Sequence, residues 1–550
     1  MVVFTILKKI FFAFSRAERV AFLTALVLAL SSSVSIGTLL LNQKTVVVPA
    51  RGGSYTEGIL GQPTHVNPVT ASTEADKSLV KLLFADLADL ADKITVDKSG
   101  KIWDIRLKEN IRWSDGEKLT SDDVIFTIQK IQDPDSSSAL SSSWQSAGAN
   151  RVSELELRIT LGNPYYFFLQ NLQKLNVIPK HLFAETPVGN WRLSRYNLQP
   201  VSSGPYSFDS YEVREDGFIT DYHLKPNKFY FSSSPLINEF NLKFFPNTTQ
   251  LIYAFNSGQV DGFAIGSGEA GGIMRPYEAH DFSLPSYYAI FFNQGQNLAL
   301  RDKKVRQALS VSADRKNLIS NVLNGDGEIR FGPFSPSLLS DSQSQTDDFS
   351  LETASRLLDD GGWIMASSTV RQKTIKGAKI NLEFNLTIPQ ISFLIKTAEK
   401  LQSDWAKIGI KADLIPMASE EISGDTVKNR NYQAVLFGNM PNPPADLFAF
   451  WHSSQRFYPG LNLSLYNSKQ ADGMITDIGQ NGDSSKRALE IQSLQNLIAG
   501  DYPAVFLYSP YYVYFSRKDL QGVQAGLLNE STDRFSNVAG WYMKTTRSLK

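Results

Sequence analysis

The chain has 550 residues, more than one hydrophobic core usually serves, so at least two domains are expected. Its 55 basic and 55 acidic residues balance, which excludes the electrostatic footprint of a nucleic-acid binder. It has no cysteine, so disulfides and thiolate chemistry are excluded too.

Val20 to Leu41 is uncharged and mostly apolar. Its length suits a membrane-spanning helix of roughly 20 residues. Lys8, Lys9, Arg16 and Arg19 precede it. Residues 1–19 should therefore stay cytoplasmic, residues 20–41 form an anchor or signal segment, and the body be exported. The cleaved-signal alternative has Val48-Pro49-Ala50 as its site, a poor one set far from the apolar run. Residues 42–51 read as a linker, and the pattern turns globular from Gly52.

Lys101 to Trp113 predicts two strands around a turn at Lys108-Glu109-Asn110, with a second turn at Ser114-Asp115-Gly116. Ser121 is the expected cap of the next helix. Asp122 and Asp123 then complement the helix dipole; no further ligand sits at metal spacing. The serine-rich patches at 136–143 and 341–345 read as surface loops. Gly266 to Gly271 matches GxGxxG, but Pro276 follows within ten residues, so a glycine loop is expected there and not a dinucleotide site. Phe291 to Gly325 predicts a strand, a loop and two helices, with Asp302 as an N-cap and Asn324-Gly325 as a C-terminal stop. Ile380, Leu382, Phe384 and Leu386 alternate as in a strand. Leu394, Ala398, Leu401, Trp405 and Ile408 follow at helical spacing, Gly409 ends that helix, and Ile410, Ala412 and Leu414 alternate again. This strand–helix–strand unit should form a right-handed parallel crossover. Tyr432 to Phe437 supplies another strand. Ligands in such sheets bind beyond the carboxyl ends of strands, which makes the loop after Phe437 a site candidate; a plain proline-rich connector reads equally well.

No HExxH or GxSxG motif accompanies the five histidines, His65, His181, His223, His280 and His452. A Ser-His-Asp triad would have to assemble from distant positions. Trp451, Phe448 and Tyr288 are candidate stacking surfaces or, more in keeping with aromatic burial, core residues.

The order of several fragments is more particular than any one of them. Asn293, Arg301-Asp302, Val305-Arg306-Gln307-Ala308-Leu309, Asp314-Arg315 and Gly325 resemble the signature of family 5 extracellular solute-binding proteins, the oligopeptide and dipeptide receptors of ABC importers. Gly61-Gln62-Pro63 with Asn67-Pro68, Ile178-Pro179-Lys180-His181, Ser203-Gly204-Pro205-Tyr206, Ser257-Gly258-Gln259-Val260-Asp261 and Gly362-Trp363 are similar to further family motifs, in order.

The resemblance implies an α/β, two-lobed periplasmic-binding-protein-like fold of type II with an extra subdomain. Lobe I would comprise 52–82, 200–286 and 503–550, an inserted subdomain 83–199, and lobe II 287–502. It implies a monomer that binds a peptide or other small solute between the lobes and hands it to an ABC permease and ATPase. It implies no catalytic residue, cofactor or metal. Val69, Thr70, Ala71, Ser72 and Thr73 would face the ligand from lobe I; Phe437, Gly438, Asn439, Met440, Asn442 and Asp446 would face it from lobe II. Peptide-binding relatives place an aspartate just after the lobe II strand, to pair with the ligand's α-ammonium; here Pro441 aligns with it. A free amine would lose a charge-assisted bond, on the order of 1.5–3 kcal/mol. A non-transporting surface receptor or sensor is the alternative, and an exported hydrolase a distant third.

Overall fold

The computed structural model describes residues 13–266, 271–335, 339, 349–365, 369–440 and 446–549, the side chains of 37–43 excepted. Its contacts divide the chain into two compact units, one ending at Gly53 and taking in the segment from Tyr542, the other running from Ser54 to Trp541.

The first unit contains a helix, Arg16–Lys44, whose apolar stretch Arg16–Ile36 buries none of its length against protein. Strand Thr45–Ala50 follows directly and pairs antiparallel with Lys544–Leu549, from Thr45 opposite Leu549 to Ala50 opposite Lys544. The linker expected at 42–51 is thus helix end and strand. Thr45 and Val46 to Val48 are β-branched and favour the pleated conformation. The Arg547 guanidinium donates to Thr45 Oγ1 across the ribbon at 3.1 Å.

The second unit is built on two large mixed sheets. One has eight strands, with Ser54–Leu60 at its middle between Gly262–Gly266 and Glu239–Phe245. The other has six, in the order Gly327–Ile329, Ala504–Pro510, Tyr287–Phe292, Ala434–Asn439, Glu383–Pro389, Lys411–Met417. These sheets are the cores of two lobes. A separate antiparallel sheet of four strands, from Ala91–Val96 to Glu156–Leu161, lies in the inserted segment.

The chain passes between the large sheets twice, at Leu284 to Ser286 and at Tyr511. The second passage differs from the expected boundary at residue 503. Ala504–Pro510 belongs to the lobe II sheet, paired with Tyr287–Phe292 and Gly327–Ile329. All but its last residue are buried, as a central strand covered on both faces requires. The sheet of lobe I is rejoined only at Tyr512–Ser516.

The strand–helix–strand unit forms as expected. Glu383–Pro389 and Lys411–Met417 pair in parallel, and helix Ser392–Lys407 buries Leu394, Ala398, Leu401 and Trp405 against them. Ile380 lies outside the unit, on a strand of a small three-stranded sheet, so the alternation that started there joined two elements. The helix pair Lys303–Val311 and Arg315–Val322 also forms. Asp302 and Asp314 cap the two helices through Lys304 N and Asn317 N, and Asn324 and Gly325 take positive φ.

Two local expectations shift. Thr120, not Ser121, caps helix Ser121–Gln132, because Thr120 and Asp123 form a reciprocal capping box. Of the two strands expected across 101–113, only Ile102–Leu107 forms. Asn110 turns the chain at φ 62°, and a single bridge, Arg112 to Lys118, replaces the second. Among the described residues of the 136–143 patch, Ser136 and Ser138 are buried rather than on the surface; the 341–345 patch lies outside the described residues.

The inserted segment also reaches lobe II. Phe167 is buried among Ile475, Ile491 and Leu494, Arg487 lies over its ring, and Tyr166 N donates to Gly479 O at 3.1 Å.

Candidate functional site

Two cavities contain expected ligand-binding residues, and they differ in chemistry. The larger, about 670 Å³, is walled by the start of lobe I, the inserted segment and the 524–539 tail. The smaller, about 230 Å³, lies where both passages between the sheets meet the carboxyl end of Ala434–Asn439 and the start of helix Ser392–Lys407.

The larger cavity starts from a folded loop. Asn67 Oδ1 accepts from Val69 N at 3.0 Å, and Asn67 O accepts from the amides of Thr70 and Ala71. Val69, 2% exposed, and Ala71 line the wall. Thr73 caps helix Glu74–Leu83 by accepting from Asp76 N, and both Ser72 and Thr73 are exposed. The Thr70 hydroxyl is buried without a hydrogen-bond partner among the described residues. Charge dominates the rest. Lys81 pairs with Asp533 at 3.1 Å and Lys77 with Glu530 at 3.7 Å. Burial, then the charge of Asp89, pushes the Asp86 carboxyl up to about 6. Burial opposes the Lys81 charge, but Asp533 and Asp86 outweigh it and raise its pKa.

In the smaller cavity, Tyr288 stands directly across the strand pair from Gly438. A Cβ at Gly438 would come within 2.8 Å of the Tyr288 ring, so the missing side chain is what lets that ring lie against the strand. The Phe393 ring stands edge-on to Tyr288 at 5.3 Å. Met440 is 54% exposed at the rim. Asn439 is buried, and its amide donates to Tyr287 Oη at 3.1 Å. Burial pushes the Tyr287 phenol well above its ordinary range, so it stays neutral.

The ligand-facing residues expected from the sequence therefore divide. Gly438, Asn439 and Met440 come together in the smaller cavity, and Val69 and Ala71 in the larger. Phe437 is half-buried and packs on the opposite face of its strand, beside the Tyr287 cluster. Asp446 precedes helix Leu447–Trp451 and borders neither cavity; its charge, after burial, raises the Tyr165 phenol. Asn442 and Pro441 lie outside the described residues, as does part of the Gly266–Gly271 loop. Trp451 is core and Phe448 is exposed, stacked on His452. Phe393, Tyr511 and Tyr512 were not singled out from the sequence. The tyrosines at 508, 511, 512 and 514, a dense run at a lobe boundary, were the available signal.

Ser454, His452 and Asp472 do approach one another. His452 Nδ1 lies 2.8 Å from Ser454 Oγ and also accepts from Ser454 N to cap a 3₁₀ turn, its Nε2 is 3.8 Å from Asp472, and Asp472 is held by Ser453. His181 is bound to Asp115 at 2.8 Å, joining the short helix Lys180–Phe183 to a turn. Among the described residues no group of three or more His, Asp or Glu is placed to hold a metal ion.

The model of the bacterial extracellular solute-binding proteins, family 5 middle region, matches residues 87–458, and the chain belongs to this family. The oligopeptide-binding protein AppA of Bacillus subtilis (strain 168) is 26% identical over 526 residues, 88% of this chain and 93% of AppA. The nickel-binding periplasmic protein of Escherichia coli (strain K12) is 26% identical over 381 residues, 66% of this chain and 69% of that protein. A solved structure of Bacillus subtilis AppA with a nonapeptide superposes with a TM-score of 0.70 at 24% identity, covering 90% of this chain and all of that one; this likeness shows the fold.

Proposed function

We propose that the chain is the exported receptor of an ABC importer, that it takes peptides between its two lobes, and that its N-terminal helix holds it to the membrane. The observation that carries the reading is the smaller cavity, where both inter-lobe passages meet the carboxyl end of Ala434–Asn439. A ligand bound there touches both lobes and the passages that flex between them, so contacts made only in a closed form would drive closure. The near full-length match to an oligopeptide-binding relative supports peptide over other solutes. The ligand is bound and released unchanged.

The ribbon supports a retained anchor. Cleavage after Ala50 would remove the whole of Thr45–Ala50 and leave Lys544–Leu549 an unpaired strand. The basic residues Arg16 and Arg19 support a cytoplasmic position for the side that precedes the helix.

Titration of purified protein with peptides is expected to give one site per chain and a smaller radius of gyration by small-angle scattering. An unchanged scattering curve at saturation would overturn the receptor reading. Mass spectrometry of the mature chain is expected to retain residues before Thr45; a start at Arg51 would overturn the anchor.

A further inference from the structure

We infer that the smaller cavity is a specificity pocket for one uncharged side chain of the bound peptide, aromatic or aliphatic, and that it selects against Lys, Arg, Asp and Glu at that ligand position. The inference rests on the peptide reading above and deepens it.

Its chemistry is unusually uniform. Among the described residues no Asp, Glu, Lys, Arg or His lines the cavity, whereas the larger cavity carries charges of both signs. Tyr288, Phe393, Tyr511 and Tyr512 supply aromatic surface, and Met440 a pliable rim. Among the described lining residues the one side-chain amide, that of Asn439, already donates to Tyr287, and Ser286 adds a single hydroxyl besides those of the tyrosines. A charged side chain entering here would lose water and, among the described lining residues, meet no side chain of opposite charge, a heavy penalty. An apolar side chain would lose only unfavourable hydration. At about 230 Å³ the cavity falls below the roughly 300–1,000 Å³ of sites that enclose a whole small ligand, so it fits one group of a larger one. Tyr288 and Gly438 set its depth: the ring lies over the glycine, and any added Cβ would push it into the space.

The test uses the full chain in detergent and a set of fluorescent hexapeptides with one variable residue, Phe, Leu, Glu or Lys, moved along a Gly/Ala frame. At one position, Phe and Leu are expected to bind at least tenfold more tightly than Glu or Lys. Gly438→Ala is expected to reduce that contrast at the same position. Met440→Glu, a change at an exposed rim residue that the fold tolerates, is expected to shift preference there toward Lys. Equal affinity for all four residues at every position overturns the pocket and leaves the peptide reading standing. A preference that neither variant alters places the selective contact elsewhere and also overturns it. No binding of any peptide brings down both.

Discussion

The two cavities teach different lessons about how polar chemistry is held. In the larger one, charges are paired, Lys81 with Asp533 and Lys77 with Glu530, and burial with the charge of Asp89 raises the Asp86 carboxyl to about 6 against the opposing pull of Lys81. In the smaller one, no charged side chain lines the wall among the described residues, and shape is set by rings on a glycine. Arg534 connects the two. It is almost fully buried, between Thr532 and Asp533 on one side and Tyr512 on the other, and it donates to Glu57, Glu74 and the Tyr512 hydroxyl. Burial alone would push the Glu57 carboxyl up, and Arg534 opposes that shift.

The strongest way to break the contrast is to remove that connection. Arg534→Ala leaves Glu57 buried without a counter-ion and is expected to cost about 3–5 kcal/mol, measured by denaturant unfolding. A loss below 1 kcal/mol would mean the two walls are independent.

Next in size is Asp86. Between about pH 4 and pH 6 the folded chain keeps a proton on this carboxyl that the unfolded chain has lost, so stability falls as pH rises through that interval. Asp86→Asn keeps the cap on Asp89 N, since asparagine caps as well as aspartate. It is expected to flatten that part of the stability–pH curve and to gain about 2–3 kcal/mol at pH 7, the worth of a carboxyl raised from 3.8 to about 6, in which the pull of Lys81 is already counted. A curve that keeps its slope in the variant would assign the titration to another group.

Tyr512→Phe sharpens the comparison from the uncharged side. It removes one acceptor of Arg534 but keeps the ring, so a cost of about 0.5–1.5 kcal/mol is expected, with the preference for apolar peptide residues intact. Last comes Lys77→Ala. The Lys77–Glu530 pair is 42% and 35% exposed, and such surface pairs contribute about 0–1 kcal/mol. A larger change in melting temperature would show that the larger cavity depends on its rim.

Local structure was readable in the chain wherever neighbours in sequence carry it. Asp302 caps its helix, Gly409 ends the crossover helix, and the parallel pairing of Glu383–Pro389 with Lys411–Met417 follows from alternation flanking a helical period. Errors arose where a competing local partner decided. Asp123 drew the cap to Thr120, and alternation at Ile380 ran through the break between two strands.

The site was legible only in part. The ordered motifs and the carboxyl-end rule pointed to Gly438, Asn439 and Met440, because those positions follow from strand order along the chain. That Tyr288 covers Gly438, that Phe393 turns edge-on to it, and that Tyr511 and Tyr512 close the wall depends on residues more than a hundred positions apart meeting in the folded chain. Sequence by itself determined the apolar N-terminal segment, the Asp302 cap and the crossover unit, since each is set by contacts within some thirty residues. Only the tertiary structure decided that Ala504–Pro510 joins lobe II, that Thr45–Ala50 is half of a ribbon, and that the two expected ligand loops line separate cavities, because strand pairing between distant segments leaves no periodic trace in either one.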